Sequence, residues 1–146
     1  MIRSVVPEDK EPYIAMTEAF YRSDAVLHSI PQAHIQRTFE TILNGSPYAQ
    51  GYIAEHEGKT AGYVLLAMTY SNEAGGLVLW IEEIYIVPEF RGLGLGGELF
   101  AFIESMAKSS YARIRLESEP DNLRALALYQ RMGYADLSYR QLYKDL

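Results

Sequence analysis

The sequence predicts a single mixed α/β domain, a sheet covered by helices. Three observations predict it. Short runs rich in β-branched and aromatic residues, separated by glycine-containing turns, form an antiparallel meander in the middle of the chain. After residue 93 the pattern changes to helix, strand, helix, strand, so part of the sheet is entered from helical connections. The 146 residues, 49% hydrophobic and 22% charged, are enough for one buried core and too few for two ordinary domains.

Taken in order, Ile2 to Val6 reads as a short strand stopped by Pro7. A helix follows from about Glu11 to Tyr21, with Asp9 as candidate cap and Pro12 tolerated in the first turn. Residues 22–31 carry neither period and read as a loop. A second helix runs from about Gln32 to Leu43 and stops at Asn44-Gly45. Gly51 to Glu55 and Ala61 to Thr69 are strands joined by the turn His56-Glu57-Gly58-Lys59. The cluster Ser71 to Gly76 turns the chain into a third meander strand, Leu77 to Val87. A helix from about Gly94 to Lys108, a strand from Arg113 to Glu117 and a helix from about Leu123 to Met132 follow, and terminal strands are expected at Ala135 to Ser138 and Gln141 to Lys144. No repeat, low-complexity tract or linker divides residues 1–146, which read as one domain.

Thirteen Lys and Arg against 19 Asp and Glu give a net charge of −6. That balance argues against a nucleic-acid partner, which a basic face would announce, and fits a cationic substrate better. The chain has no cysteine, which excludes thiolate metal sites and a cysteine nucleophile, so an acyl group cannot be carried on a thiol. No apolar run approaches a membrane span and the N-terminus has no signal-peptide core, so a cytoplasmic protein with no membrane partner is expected. No metal site is apparent.

The sharpest feature is Val87-Pro88-Glu89-Phe90-Arg91-Gly92-Leu93-Gly94-Leu95-Gly96-Gly97, between a strand and an amphipathic helix. Glycines there let a ligand approach the backbone, and the free N–H groups of the helix end favour phosphate. Gly92, Gly94 and Gly97 satisfy the dinucleotide pattern G-x-G-x-x-G. However, four residues separate the strand from the first glycine, and too few residues follow to complete a dinucleotide sheet. A phosphate loop of the Gly-Lys-Ser type is also absent.

Read as Arg-x-x-Gly-x-Gly, Arg91, Gly94 and Gly96 resemble the acyl-CoA pyrophosphate motif of the GCN5-related N-acetyltransferase (GNAT) family. The stretch from Glu82 to Gly96 is similar to that family's central strand and loop, and Asn122, Ala125, Tyr129, Gly133 and Tyr134 match its second signature. The resemblance implies a mostly antiparallel, twisted sheet of about six to seven strands flanked by about four helices. It implies acetyl-CoA as donor and CoA as product, held by Arg91, Gly92, Leu93, Gly94, Leu95, Gly96 and Gly97 at the pyrophosphate. Ile84, Tyr85 and Ile86 lie on the strand along which the family binds the pantetheine arm, and Asn122 and Tyr129 complete the cofactor contacts. A backbone donor on that strand could stabilise a developing oxyanion.

Acetyl transfer from a thioester to an amine needs an uncharged amine and a proton for the departing thiolate. A phenol with an ordinary pKa of about 10 can supply that proton, and Tyr129 is the candidate general acid. The plainer alternative for Tyr129 is a core tyrosine on the stripe Ala125, Leu128, Tyr129, Met132; for Asn122 it is a helix cap. Glu82 occupies the place of a glutamate base in the family's polyamine-type members and is favoured over Glu83. Adjacent residues on a regular strand point to opposite faces, so only one of the two should reach the substrate.

Substrate contacts are sought at Glu82, Glu83 and, in the loop after the first helix, Asp24 and His28; a solvated loop charge is the competing reading for the last two. Glu117 and Glu119 are further candidates for the pocket wall. His34 and His56 read as isolated surface residues. The expected activity is direct acetyl transfer to a primary amine of a small, cationic acceptor, with a homodimer compatible. A protein or peptide amine acetyltransferase and a non-catalytic acyl-CoA-binding module are the alternatives. A nicotinamide oxidoreductase rests on the glycine coincidence alone.

Overall fold

The computed structural model describes residues 1–146. Five strands form one sheet in the order β1-β2-β3-β4-β5: β1 Ile2–Ser4, β2 Ala49–His56, β3 Lys59–Ser71, β4 Gly76–Ile86 and β5 Arg113–Leu116. The first four pair antiparallel and β5 joins β4 in parallel. Helices α1 (Lys10–Tyr21) and α2 (Gln32–Leu43) come from the β1–β2 connection, and α3 (Leu95–Ala107) makes the crossover from β4 to β5. The helix α4 (Leu123–Arg131) follows β5.

Strand alternation divides the core into two layers. On β2 and β3, Ile53, Tyr63 and Leu65 pack beneath Tyr13 and Met16 of α1 and Ile35 and Phe39 of α2. Their neighbours Ala54, Val64 and Leu66, with Leu79 and Ile81 of β4, face Leu99, Phe100, Ile103 and Ala107 of α3. Each layer uses side chains that are nearly all removed from water. The interior residues of β3, Ala61 to Leu66, are therefore buried on both sides, which is why that strand reads as an unbroken apolar run.

Three expectations are corrected. The sheet has five strands, not six to seven: residues 133–146 have no regular secondary structure, so the strands expected at Ala135 to Ser138 and Gln141 to Lys144 do not form. Tyr134 packs its ring against Phe100 and Tyr129, but Tyr139, Leu142 and Tyr143 are largely exposed, and beyond Tyr134 the side-chain hydrogen bond that ties the segment down is from the Tyr139 hydroxyl to Glu73 at 2.6 Å. β-Favouring residues make a strand only where a neighbouring backbone accepts the ladder, and here no strand is paired to them. Second, Asp9 does not cap α1 with its side chain. Its carboxylate instead accepts from the Val6 N–H and from two nitrogens of Arg3, and so ties the α1 entrance to β1. Third, the alternation of β4 is broken opposite Leu65 and Leu66, at the strand's two glutamates.

Candidate active site

The site begins where the sheet opens. Pairing of β4 with β5 runs from Val78 opposite Arg113 to Ile81 opposite Leu116 and stops there, whereas β4 continues to Ile86. The Val87 N–H donates to Ala61 on β3, so by the pleat the main-chain groups of Ile84 and Ile86 point the other way, into the gap. The Ile86 carbonyl accepts from Arg91 Nε at 3.0 Å, and the Arg91 guanidinium lies 5.6 Å from the centre of the Tyr85 ring. Arg91 thereby fastens the glycine loop to the end of β4.

Beyond Arg91, Gly92 and Gly94 sit at φ 81° and 85°, left-handed conformations that side chains resist. Gly94 delivers the chain into α3, whose first internal bond runs from the Glu98 N–H to the Gly94 carbonyl. The successive N–H groups from Gly92 to Gly97 consequently have no acceptor within the protein. Cβ atoms added at Gly92, Gly94, Gly96 or Gly97 would meet nothing within 4 Å, so these glycines leave open space above a row of donors at the positive end of a helix. Leu95 is buried and anchors the first turn, while Leu93 is half exposed. This cradle fits a pyrophosphate-bearing ligand.

At the other end of the gap a pocket of about 70 Å³ is lined by Glu82, Ile84, Glu117, Asn122 and Tyr129, with Phe20 and Ala25 from the α1 side. Tyr129 is half-buried against Phe100, with ring centres 5.8 Å apart, and burial pushes its phenol above the ordinary value. Asn122 caps α4, its Oδ1 accepting from the Ala125 N–H at 3.2 Å, and still lines the pocket. The helix closes as its sequence predicts, the Gly133 and Tyr134 N–H groups returning to Gln130 and Tyr129. The Tyr134 hydroxyl is buried without a partner.

The two glutamates do not obey strand alternation. Leu65 of β3 is opposite Glu83 and Leu66 is opposite Ile81, so Glu82 is the extra residue of a β-bulge. Ile81 and Ile84, three apart, both pack in the α3 layer, which leaves Glu82 and Glu83 both directed to the α1 face. The expectation of opposite faces fails because a bulge resets the pleat, and no residue in Glu82-Glu83-Ile84 announces one.

Their environments differ instead. Glu83 is buried, and its two oxygens accept from Tyr21 at 2.6 Å and from Tyr63 at 2.7 Å. Burial raises its pKa, and the two phenolic donors partly oppose that. Glu82 opens into the pocket. Its pKa is raised first by desolvation and then by the nearby carboxylates Glu117 and Glu83. Asp24 and His28 are exposed, make no side-chain hydrogen bond and line neither this pocket nor the groove beside it. Glu117 lines the wall and Glu119 does not. Phe20 and Tyr21 lie in the segment expected to supply the acceptor pocket, but their own places at the pocket and on Glu83, and that of Tyr63, depend on partners far away in the chain and leave no local signal.

No helix is long and apolar enough to cross a membrane, and no group of three His, Asp or Glu side chains is placed to hold a metal ion. Comparison with known proteins gives the loop, the opened sheet and the pocket a common frame. A model of the acetyltransferase (GNAT) family matches residues 13–134. The chain belongs to that family. It is 29% identical over 85 residues to the uncharacterized N-acetyltransferase YhfO of Bacillus subtilis (strain 168), covering 58% of this chain and 57% of that protein. It is 33% identical over 78 residues to the thialysine N-epsilon-acetyltransferase of Bos taurus, covering 53% of this chain and 45% of that protein. The chain thus spans about half the length of these curated relatives. Its fold matches the structure of AAC(6')-Iy in complex with the bisubstrate analog CoA-S-monomethyl-acetylneamine, with a TM-score of 0.79 at 18% identity, over 100% of this chain and 97% of that one.

Proposed function

We propose that the protein is an acetyl-CoA-dependent N-acetyltransferase that moves the acetyl group directly to a primary amine of a small, cationic acceptor. The observation that carries this reading is the placement of Glu82 and Tyr129 on one pocket at the mouth of the β4–β5 gap. The donor row from Gly92 to Gly97 fits the CoA pyrophosphate, with Arg91, Asn122 and the main chain of Ile84, Tyr85 and Ile86 as further contacts. When bound, acetyl-CoA supplies a thioester carbonyl as electrophile.

Glu82 takes a proton from the acceptor ammonium, directly or through one water, and its raised pKa brings the carboxylate closer to that of the amine. The freed nitrogen would then attack the acyl carbon as the carbon–sulfur bond breaks, Tyr129 giving its phenolic proton to the sulfur; the surplus proton of the acylated nitrogen returns to the Tyr129 phenolate, directly or through water, and leaves a neutral amide. Burial keeps that phenol protonated. With no cysteine in the chain, transfer proceeds without an acetyl-thiol on the protein. Glu83, with both oxygens occupied by phenols, serves as a positioning residue behind Glu82.

The acceptors in the names of similar proteins are thialysine, an aminoglycoside and the alanine of a ribosomal protein, so an amine is the shared element and a small, cationic acceptor is the narrower part of the proposal. Cytoplasmic residence and a homodimer, the latter served by the exposed Leu142 and Tyr143, complete the proposal. A panel of amines incubated with acetyl-CoA and followed by thiol release tests the activity. Amine-dependent release is expected; CoA binding without release by any amine would leave an acyl-CoA-binding module instead.

A further inference from the structure

The pocket continues into a larger open groove of about 460 Å³ that shares Glu82 and Glu117 with it. Its floor is made by the last paired rows of β4 and β5. Trp80 is opposite Arg115, and the Arg115 guanidinium lies 4.2 Å from the centre of the Trp80 ring. Trp80 is itself fixed by its Nε1, which donates to Thr69 Oγ1 at 3.2 Å. A guanidinium stacked on an immobilised aromatic keeps its in-plane N–H donors free at the edge.

Those donors are uncommitted. Arg115 makes no hydrogen bond and no ion pair, although two carboxylates, Glu82 and Glu117, line the same groove. Arg113, two residues earlier on the strand, by contrast pairs with Glu73 at 2.6 Å, and Glu73 feels the Arg115 charge without bonding to it. The groove therefore has a cationic end at the row of Trp80 and Arg115 and an anionic end at Glu82 and Glu117. The ends are two residues apart along the strands, about 7 Å, a span that an extended chain of about four or five methylene groups covers.

We infer that the acceptor carries a carboxylate as well as its reactive amine, and that Arg115, held on Trp80, reads that carboxylate while Glu82 and Glu117 receive the ammonium. The inference rests on the acetyl-acceptor reading of the pocket and narrows it from cationic amines to ω-amino carboxylates. A dianionic phosphate suits the groove less, because one guanidinium faces two carboxylates there, whereas a zwitterion leaves each end matched.

Trp80 is the chain's single tryptophan, so its fluorescence reports on this groove without any turnover. Free lysine and lysinamide, which differ by carboxylate against neutral amide, are titrated into the protein. Lysine is expected to bind about tenfold or more tightly than lysinamide, the range of a charge-assisted pair. Arg115→Gln should bring lysine to the lysinamide level, and Arg115→Lys should retain part of the difference. Equal binding of the two probes, a Trp80 signal that neither perturbs, or an Arg115→Gln variant that weakens both alike would each overturn the assignment. Thiol release is scored separately. If no amine releases CoA while the lysine preference persists, the catalytic reading fails and the role of Arg115 stands.

Discussion

Glu82 and Glu83 share a sequence environment and a sheet face, yet their surroundings give them different capacities. Glu83 spends both oxygens on Tyr21 and Tyr63, whereas Glu82 faces an open pocket. A carboxylate base is active when ionised, so kcat/KM should rise with pH through a pKa above the ordinary value near 4.5. In Glu82→Gln that acid limb should vanish from the pH–rate profile, while Glu83→Gln should retain it at lower amplitude. Tyr129→Phe should lower kcat by about 100-fold or more and cost far less in CoA affinity, as expected when the main role of the hydroxyl is proton donation in the transition state. Calorimetric titration of CoA beside steady-state kinetics separates the two effects. At this scale the sequence was informative about which residues gather: Glu82, Asn122 and Tyr129 do line one pocket. It was silent about Glu83, because a bulge is set by the register of β3 against β4 and not by the residues that bulge. Asp24 and His28 have side chains suited to an amine, but Ala25 of the same loop is the residue that reaches the wall.

Among the elements, the β4-to-α3 junction shows best how a ligand site is written into a fold. Gly94 is needed for the backbone's left-handed turn, whereas Gly96 and Gly97 lie within α3, where alanine is the better helix former. A Cβ at Gly96 would meet nothing in the protein. Gly96→Ala should therefore stabilise the ligand-free protein by about 0.5–1 kcal/mol and at the same time weaken CoA binding, a pairing that thermal melts with and without CoA would expose. A variant that neither gains stability nor loses CoA affinity would remove this loop from the cofactor site. The helical stripe of α3 and its glycine entrance were legible because both are local. The terminal strands were not, since Ala135 to Ser138 and Gln141 to Lys144 carry strand-like residues but the paired neighbour that would make them strands is absent from the sheet.

Over the whole molecule, the sheet is a platform whose two apolar layers fix the spacing of α1, α3 and β4 around the gap. Its outer strand β1 is held by Arg3, which pairs with Asp9 at 2.7 Å and with Glu55 at 2.7 Å. The Arg3 guanidinium holds the Asp9 carboxyl below its ordinary value. Such a depressed acid contributes stability that is complete above its unfolded pKa near 4 and is lost as pH falls through the lower folded value. Glu82 and Glu83 act with the opposite sign: raised in the fold, they favour it below their unfolded pKa and withdraw that support as pH rises through their folded values. Asp9→Asn should cost about 1–3 kcal/mol at neutral pH and flatten the acid side of the stability curve, measured by denaturant unfolding across pH. The acidic balance of the chain finds a local expression at Glu82 and Glu117, which share the pocket and groove where an amine would dock.

Acetyl transfer at this site is best tested by acetyl-CoA turnover against an amine panel, with free thiol as the readout and both substrates varied. Amine-dependent CoA release with intersecting initial-rate lines, the pattern of direct transfer in a ternary complex, is expected, together with its loss in Tyr129→Phe. CoA binding without amine-dependent release, or full turnover in Tyr129→Phe, would contradict it.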